Sequence, residues 1–310
     1  MKPAAPQRPA CFSNRVLALI ELRDSILDAI RAFFRANGYC EVTTPLLVHC
    51  PGLDRHVEAL PAGNGQFLAT SPELHMKRLV CRGAPRIFQI SPAFRADEQG
   101  AQHTREFLML EWYRTGSGYR EMMQETEELL RHVTGCCSLM PAGLSFPVPR
   151  ITVDQLYERS AGWQPTRHWD EDRYFRDWAA TVEPYLQTQP ALIVHDFPAA
   201  LAALSRISSE NVRICERFEL FLNGLEICNA YSELTDPDEH RVRFDQAARC
   251  RAAMGRPPYE ADEPFLQAVA SGMPACAGNA LGLDRLIMAL TGASHISDVH
   301  LFPEDLQPSP

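Results

Sequence analysis

Residues 107–113 read Phe-Leu-Met-Leu-Glu-Trp-Tyr and are the most informative stretch of the chain. Alternation with a period of two places Phe107, Met109, Glu111 and Tyr113 on one face of a strand, and only apolar side chains on the other. Two interpretations of the mixed face stay open. It is either a half-exposed strand with a solvated glutamate, or a pocket wall where Phe107 stacks on a planar base and Glu111 and Tyr113 hold a polar ligand.

Outward from this strand, helical and strand patterns follow one another. The apolar spacing of residues 16–34 predicts an amphipathic helix that stops at Asn37-Gly38. Residues 160–190 are interpreted as an irregular surface insertion, and residues 278–290 as a glycine-marked turn that enters a helix. The other predicted elements are a helix behind Pro72, a helix over 119–133, and strands over 41–43, 67–70, 86–91, 191–194, 214–222 and 225–228. Long loops between strands, with helices at both ends, favour an α+β fold with a mostly antiparallel sheet flanked by helices.

The composition is that of an ordinary globular protein. The 310 residues carry 30 Lys+Arg against 39 Asp+Glu, a formal net charge of -9, and 45% are hydrophobic. The acidic balance opposes a large nucleic-acid footprint. No run of about 18 apolar residues and no apolar leader is present, so we expect a cytoplasmic protein without a membrane span. The ten cysteines include no Cys-x-x-Cys pair, so neither a disulfide framework nor structural zinc is expected.

Asn223-Gly224 is the strongest hairpin signal in the sequence. With this turn as the loop, Glu219 pairs with Cys228, and Glu219 and Glu226 project from the same face. Two carboxylates at such a short distance repel each other unless a cation lies between them. Mg²⁺ is the natural candidate because it binds carboxylate and phosphate oxygens together. The alternative is an exposed pair that faces a Lys or Arg from elsewhere.

Two further polar residues of this hairpin fall on the opposite face if alternation is strict. Asn229 and Glu233 could join Glu226 only through a bulge or at the end of the strand.

The segment Gly278-Asn279-Ala280-Leu281-Gly282-Leu283-Asp284-Arg285 combines small residues with an arginine in the first turn of a predicted helix. Small residues allow a ligand to approach the backbone, and a helix N-terminus attracts phosphate. A capped turn with an ordinary surface arginine would look the same.

In order along the chain, these pieces resemble the three signature motifs of class II aminoacyl-tRNA synthetases. Residues 38–45 (GYCEVTTP) resemble motif 1, the dimer-interface helix and strand. Phe94-Arg95 with Asp97, followed by strand 107–113, resembles motif 2, and residues 282–285 resemble motif 3. Thr70-Ser71-Pro72-Glu73 and residues 226–234 resemble the lysyl subgroup, and the similarity covers roughly residues 14–305.

A lysyl-tRNA synthetase also carries an anticodon-binding OB domain of on the order of 100 residues or more. Here motif 1 begins almost at once, and residues 71–79 (SPELHMKRL) and Ala280 resemble the truncated paralogues of the elongation factor P–lysine ligase family. The Pro/Ala-rich composition of residues 1–13 predicts a flexible arm. The resemblance implies a homodimer with one catalytic domain over residues 14–310, without tRNA anticodon binding. It implies ATP-dependent activation of (R)-β-lysine as the adenylate, with Mg²⁺ on the phosphates, and transfer to a lysine ε-amine of elongation factor P.

The resemblance also implies roles for individual residues. The catalytic pair is Arg95 on the α-phosphate and Arg285 on the γ-phosphate, or on the adenine opposite Phe107, with Glu219 and Glu226 on magnesium. The expected amino-acid pocket contains Ser71, Pro72, Glu73, Glu111, Tyr113, Glu233 and Ala280. The expected ATP contacts are Arg95, Ala96, Asp97, His103, Thr104, Phe107, Glu226, Ile227, Asn229, Gly282 and Arg285.

The chain departs from the family pattern at two positions of motif 2. Asp97 stands where glutamate is usual and keeps the carboxylate, while Thr104 stands where asparagine is usual and loses an amide. Two other functions remain open from the residues: a lysine-activating ligase with another acceptor, and an inactive paralogue that binds nucleotide or amino acid.

Overall fold

The structure, a computed structural model, describes residues 14–303, so the predicted arm at residues 1–13 lies outside the described residues. In this range the α-helices are α1 (Asn14–Ala36), α2 (Glu73–Cys81), α3 (Tyr119–Cys137), α4 (Val153–Ala161), α5 (Glu171–Asp177), α6 (Glu183–Gln187), α7 (Pro237–Ala253), α8 (Glu263–Ala270) and α9 (Leu283–Thr291). The strands are β1 (Cys40–Glu41), β2 (Leu47–Val48), β3 (Pro61–Gly63), β4 (Gln66–Leu68), β5 (Arg86–Phe94), β6 (Glu106–Thr115), β7 (Arg150–Thr152), β8 (Ala191–Pro198), β9 (Ile214–Leu222), β10 (Leu225–Ser232) and β11 (Cys276–Gly282). Among the described helices, none is long and apolar enough to cross a membrane.

The large sheet has eight strands in the order β1-β5-β6-β11-β10-β9-β8-β7. Only its outer pairs, β1 with β5 and β7 with β8, are parallel. A small antiparallel sheet of β2, β4 and β3 lies apart from it. The predicted α+β class with a mostly antiparallel sheet is confirmed.

One face of the large sheet packs against α1, α3 and α9. Phe34 of α1 stacks on Phe88 of β5 with 4.7 Å between ring centroids, and its ring meets Trp112 of β6 edge-on. Trp112 and Leu110 are fully buried in this core, as the alternation in residues 107–113 predicts. The opposite face of β6 is therefore left for the polar residues of the strand.

The prediction that residues 160–190 are irregular is wrong. They contain α5, a π-helical turn at Trp178–Val182, and α6, and they share a hydrophobic core with α4, β8 and β9. Residues 174, 178, 182 and 186 recur at intervals of four, which puts their apolar side chains on one helical face. Tyr174 stacks on Tyr157 of α4 with 4.7 Å between centroids, and proline is accommodated in the first turn of α6.

The prediction of a turn at Gly278 is also wrong, because β11 runs through it to Gly282 and pairs with β6 and β10. The glycine is needed for a close approach instead. A Cβ at residue 278 would overlap Glu233 Oε1 and the Tyr113 ring. The small residues of this segment thus make room inside a strand for the side chains of its neighbours.

The Asn223-Gly224 hairpin is confirmed, with both residues at positive φ of 49° and 78°. Its register is partly different from the prediction, since Glu219 pairs with Asn229 and not with Cys228. The cause is a bulge between Glu226 and Cys228, which inserts one extra residue into β10. Because the alternation of β10 slips by one residue there, Glu226 and Asn229 both line the same cavity.

Candidate active site

A cavity of about 380 Å³ lies on the polar face of β6, β11, β10 and β9. Helix α2 closes one end, and the loop that carries His103 borders the other. Side chains of four strands and α2 converge here because the strand faces that do not pack on the core all point into the cavity. A site of this shape, with a few convergent ionisable groups, is typical of a small-molecule pocket.

The α2 end of the cavity is strongly acidic. Tyr113 donates a hydrogen bond to Glu111 Oε1 at 2.6 Å, and both side chains are buried. Lys77 is completely buried and pairs with Glu73 Oε1 and Glu233 Oε2, each at 2.6 Å. Within the described chain, Glu111 Oε2 and Glu233 Oε1 are buried without a hydrogen-bond partner. Such buried, unmatched acceptors suit a ligand that brings several N–H donors.

Burial controls the ionisation of these groups. It raises the pKa of Glu111 to about 8, with repulsion from Glu73 as the second cause, and it raises the pKa of Glu233 to about 7. Burial alone would lower the pKa of Lys77, but the contacts with Glu233 and Glu73 raise it above its ordinary value. The pocket therefore combines a permanent cation with carboxyl groups that become fully ionised when further positive charge enters.

The other end of the cavity carries the arginines of motifs 2 and 3. The Arg95 guanidinium lies 5.1 Å from the Phe107 ring centroid and donates to Glu98 at 2.9 Å. Arg285 donates to the backbone carbonyls of Gln102 and Glu226 at 3.3 and 3.2 Å. Two guanidinium groups and an aromatic face are the elements that a nucleotide needs.

His103 lies between the same arginines. Burial, and then the charge of Arg285, lower the pKa of His103 below its usual value. The ring is therefore a neutral group near pH 7.

The predicted magnesium pair lies between these two ends. Glu219 is buried and accepts from Arg217 at 2.6 Å, while Glu226 is about half exposed. Burial raises the pKa of Glu219 to about 7, and the charge of Glu226 adds to this shift. In the described part of the chain, no group of three or more His, Cys, Asp or Glu could hold a metal by itself. Two carboxylates fit Mg²⁺, which completes its shell with water and phosphate oxygens.

Most of the predicted site residues line this cavity: Ser71, Glu73, Arg95, His103, Thr104, Phe107, Glu111, Tyr113, Glu219, Glu226, Ile227, Asn229, Glu233, Ala280, Gly282 and Arg285. Pro72, Ala96 and Asp97 are not among its lining residues. Asp97 instead pairs with Arg256 at 3.2 Å, and the Ala96 N–H donates to the carbonyl of Glu58. The turn of this loop directs Glu98, and not Asp97, toward Arg95.

The residues of this region that were not predicted as site residues include Lys77, Glu98, Arg217 and Tyr231. Lys77 is four residues after Glu73 on the same helical face, and Arg217 is two residues before Glu219 on the same strand face. These spacings were available as signals. The position of Tyr231 depends on the bulge in β10, which the alternation pattern does not reveal.

Asp284 ties the nucleotide end to the first helix. Its Oδ1 accepts from Arg23 of α1 at 2.7 Å, and its Oδ2 accepts from the Leu108 N–H at 2.7 Å. Arg23 also donates to the carbonyl of Val299. Asp284 precedes Arg285, and Leu108 follows Phe107, so this one carboxylate fixes the backbone beside two predicted nucleotide contacts.

Comparison with known proteins identifies the class of this fold and site. The sequence model of the family described as tRNA synthetases class II (D, K and N) matches residues 10–306. The chain belongs to this family, as the resemblance predicted.

More specific relatives are named elongation factor P–(R)-β-lysine ligase. The protein of Pectobacterium carotovorum is 40% identical over 302 residues, covering 90% of this chain and 93% of the relative. That of Mannheimia succiniciproducens is 38% identical over 301 residues, covering 90% and 93%, and that of Hamiltonella defensa is 33% identical over 325 residues, covering 98% and 99%. The chain belongs to the family of these ligases.

Proposed function

We propose that this protein activates (R)-β-lysine with ATP and joins it to a lysine ε-amine of elongation factor P. The observation that carries the proposal is the division of the cavity into a buried acidic end and an arginine-lined end, in a chain whose relatives bear the ligase name. The acidic end matches the two ammonium groups of β-lysine, and the other end matches a nucleotide triphosphate.

In the first half-reaction, a carboxylate oxygen of β-lysine attacks the α-phosphorus of ATP, and pyrophosphate leaves from the opposite side. Glu73, Glu111, Tyr113 and Glu233 hold the ammonium groups, while Arg95 neutralises charge on the α-phosphate. Arg285 and Phe107 hold the rest of the nucleotide. Mg²⁺ held by Glu219 and Glu226 would offset the charge of the phosphates. No protein nucleophile is required, so catalysis consists of positioning and charge neutralisation.

In the second half-reaction, the neutral ε-amine of the acceptor attacks the acyl carbon of β-lysyl-adenylate. An amide forms, AMP leaves with the bonding electrons of the C–O bond, and the amine loses its extra proton to solvent. The products are the modified acceptor and AMP.

The acceptor needs a route to the acyl carbon, and a second groove supplies one. It has a volume of about 640 Å³ and shares Leu53, Ala203 and the Arg217–Glu219 edge with the catalytic cavity. Its walls include aromatic side chains of α5 and the following π-helical turn, among them Phe175, and a run of mostly small residues after β8. Charged side chains, including Arg55, Glu239 and Arg243, complete the lining. We assign this groove to the lysine-bearing segment of the acceptor, whose aliphatic side chain would lie on these walls.

The assembly and location follow from the same proposal. The chain would be a homodimer through α1 and the strand after it, with residues 14–310 as one catalytic domain. An enzyme that modifies a translation factor would work in the cytoplasm and would need no contact with a tRNA anticodon.

The decisive experiment combines ATP–pyrophosphate exchange with acylation of purified elongation factor P, comparing α- and β-lysine. We expect exchange that depends on β-lysine and magnesium, and transfer to one lysine of the acceptor. Exchange without transfer would identify another acceptor. A complete lack of exchange with either lysine would show an inactive binding protein and would refute the proposal.

A further inference from the structure

Lys77 differs from every other basic side chain in the described part of the sequence. The sequence contains only two lysines, Lys2 and Lys77, so the remaining 28 of its 30 basic residues are arginines. Lys2 lies outside the described residues, and Lys77 is the one described position where an ammonium group occurs. Its side chain is completely buried. An ammonium is a compact charge, whereas a guanidinium is a wide planar fork, so the site selects for small size as well as charge.

The contacts of Lys77 connect two elements that both contribute to the acidic end. Its Nζ lies 2.6 Å from Glu73 Oε1 on its own helix and 2.6 Å from Glu233 Oε2, just beyond the end of β10. It also lies 6.0 and 5.7 Å from the ring centroids of Tyr113 and Tyr231. Each glutamate therefore has one oxygen fixed by the lysine. The other oxygen of Glu233 remains unpartnered within the described chain.

The net charge of the acidic end follows from the carboxyl groups that surround Lys77. Three carboxyl groups, on Glu73, Glu111 and Glu233, face one ammonium group, so the fully ionised pocket carries a net charge of -2. Without Lys77, the buried carboxylates of Glu111 and Glu233 would repel each other and the partly exposed carboxylate of Glu73. Protons on Glu111 and Glu233 would then replace part of the missing positive charge. The two ammonium groups of β-lysine supply the two positive charges that remain to be matched.

We propose that Lys77 is a positioning residue that holds Glu73 and Glu233 in place and neutralises one of three carboxylates, so that the folded pocket selects a substrate with two ammonium groups. This inference rests on the proposed function. It assigns no contact between Lys77 and substrate, because the carboxylates lie between them.

Other ionisable groups also surround Lys77. They are Glu73 and Cys81 of α2, Glu111 and Tyr113 of β6, Tyr231 of β10, Glu233, His240 of α7 and Cys276 of β11. Burial keeps the pKa of His240 low, at about 4, and raises those of the tyrosines and cysteines in this group. The carboxyl groups of Glu111 and Glu233 are therefore the ones whose titration reports the loss of Lys77 between pH 5 and 8.

The test is Lys77→Met, with Arg78→Met as the matched control on the same helix. In β-lysine-dependent exchange, we expect Lys77→Met to raise the KM for β-lysine about tenfold or more, with the KM for ATP changed less than about twofold. The acid limb of kcat/KM for β-lysine should move to higher pH, because Glu233 retains its proton longer without its cation. Arg78→Met should leave both KM values and the pH profile unchanged.

Three results distinguish the possible failures. Equal rises in both KM values without a shift of the acid limb would mean a merely structural lysine and would overturn the inference. An unchanged KM for β-lysine would overturn it as well, while wild-type protein inactive with β-lysine would refute the proposed function itself.

If Lys77→Met does not fold, lysine-selective labelling of the wild type provides a second test, because it gives only two side-chain signals. The inference requires one slowly exchanging ammonium that persists above pH 8, and rapid exchange like that of an exposed lysine would contradict it.

Discussion

Ala280 lies on β11 directly between Glu111 of β6 and Asn229 of β10, and it lines the floor of the cavity. Moving an amino group from the α to the β carbon shifts it by about one bond, roughly 1.5 Å. The Ala280 methyl should therefore crowd an α-amino group and leave a β-amino group free. The structure places this residue beside the groups that would bind ammonium.

We expect Ala280→Gly to raise activation of α-lysine relative to β-lysine without loss of ATP binding. A methyl-sized difference in a pocket changes discrimination by about 1–3 kcal/mol, or roughly 10- to 200-fold. The measurement is the ratio of kcat/KM for the two lysines in both proteins. An unchanged ratio would remove Ala280 from specificity, and a wild-type preference for α-lysine would contradict the assignment of the substrate.

Glu111 provides a second prediction at this scale. Since burial raises its pKa to about 8, Glu111 holds a proton near pH 7 in the free protein, and the entry of ammonium groups should expel it. Binding of β-lysine at pH 7 should release protons, and its affinity should increase as the pH rises from 6 to 8. Calorimetry in two buffers of different ionisation enthalpy measures the release. Glu111→Gln should reduce it, and equal release by this variant would assign the proton elsewhere.

Individual side chains were predictable where one element decided their direction. Alternation alone placed Phe107, Glu111 and Tyr113 on one face of a strand and left open whether that face is solvated or is a pocket wall. In the structure all three line the cavity. It failed for Asn229, because the bulge in β10 depends on the pairing of two strands. Lys77 was missed because its importance depends on Glu233, which is 156 residues away in the sequence and adjacent in the structure.

At the scale of elements, helices and hairpins with clear periodicity were predictable. The helix at residues 16–34, the helix behind Pro72 and the Asn223-Gly224 hairpin are confirmed. Residues 160–190 were misjudged because their aspartate, proline and tryptophan residues obscured an apolar repeat of four. That segment builds one wall of the second groove, so the error also hid the proposed route of the acceptor.

Substitutions in this groove should separate the two half-reactions. Phe175 is 45% exposed on its wall, and Ala200 is an exposed small residue that also lines the groove. Phe175→Ala and the groove-filling Ala200→Tyr should lower kcat/KM for the acceptor about tenfold or more, while pyrophosphate exchange stays unchanged. Met140→Ala is the control, since Met140 is 57% exposed but does not line the groove. Normal transfer by both groove variants would place the acceptor elsewhere.

At the scale of the whole molecule, the order of strands could not be predicted from local patterns. β11, the last described strand in sequence, lies in the centre of the sheet between β6 and β10. Both neighbours would present open edges until β11 joins them. Pairing of strands that are far apart in sequence is a slow step in folding, and until it is complete the unpaired strand edges are exposed to association with other chains.

The dimer is a prediction at the same scale. Apolar side chains of the first helix and the segment after it remain exposed, with Ile20 at 40%, Leu46 at 37% and Leu47 at 46%. Light scattering should give about twice 34.8 kDa at micromolar concentration. A double change of Ile20→Glu and Leu47→Glu should shift the protein toward monomer, whereas Val212→Glu, at a 76% exposed position, should not. A wild-type monomer would contradict the prediction.

The burial of Lys77 also affects whether the enzyme can be acylated by its own adenylate intermediate. β-Lysyl-adenylate is a mixed carboxylic–phosphoric anhydride that acylates free ε-amines wherever it meets them. Apart from Lys2, which lies outside the described residues, the chain has only Lys77, and that amine is sealed inside the protein. An adenylate that escapes finds arginines on the described surface, which it does not acylate. We therefore expect no self-labelling at Lys77, so that radioactive β-lysine recovered in protein reports the acceptor, apart from any label on Lys2.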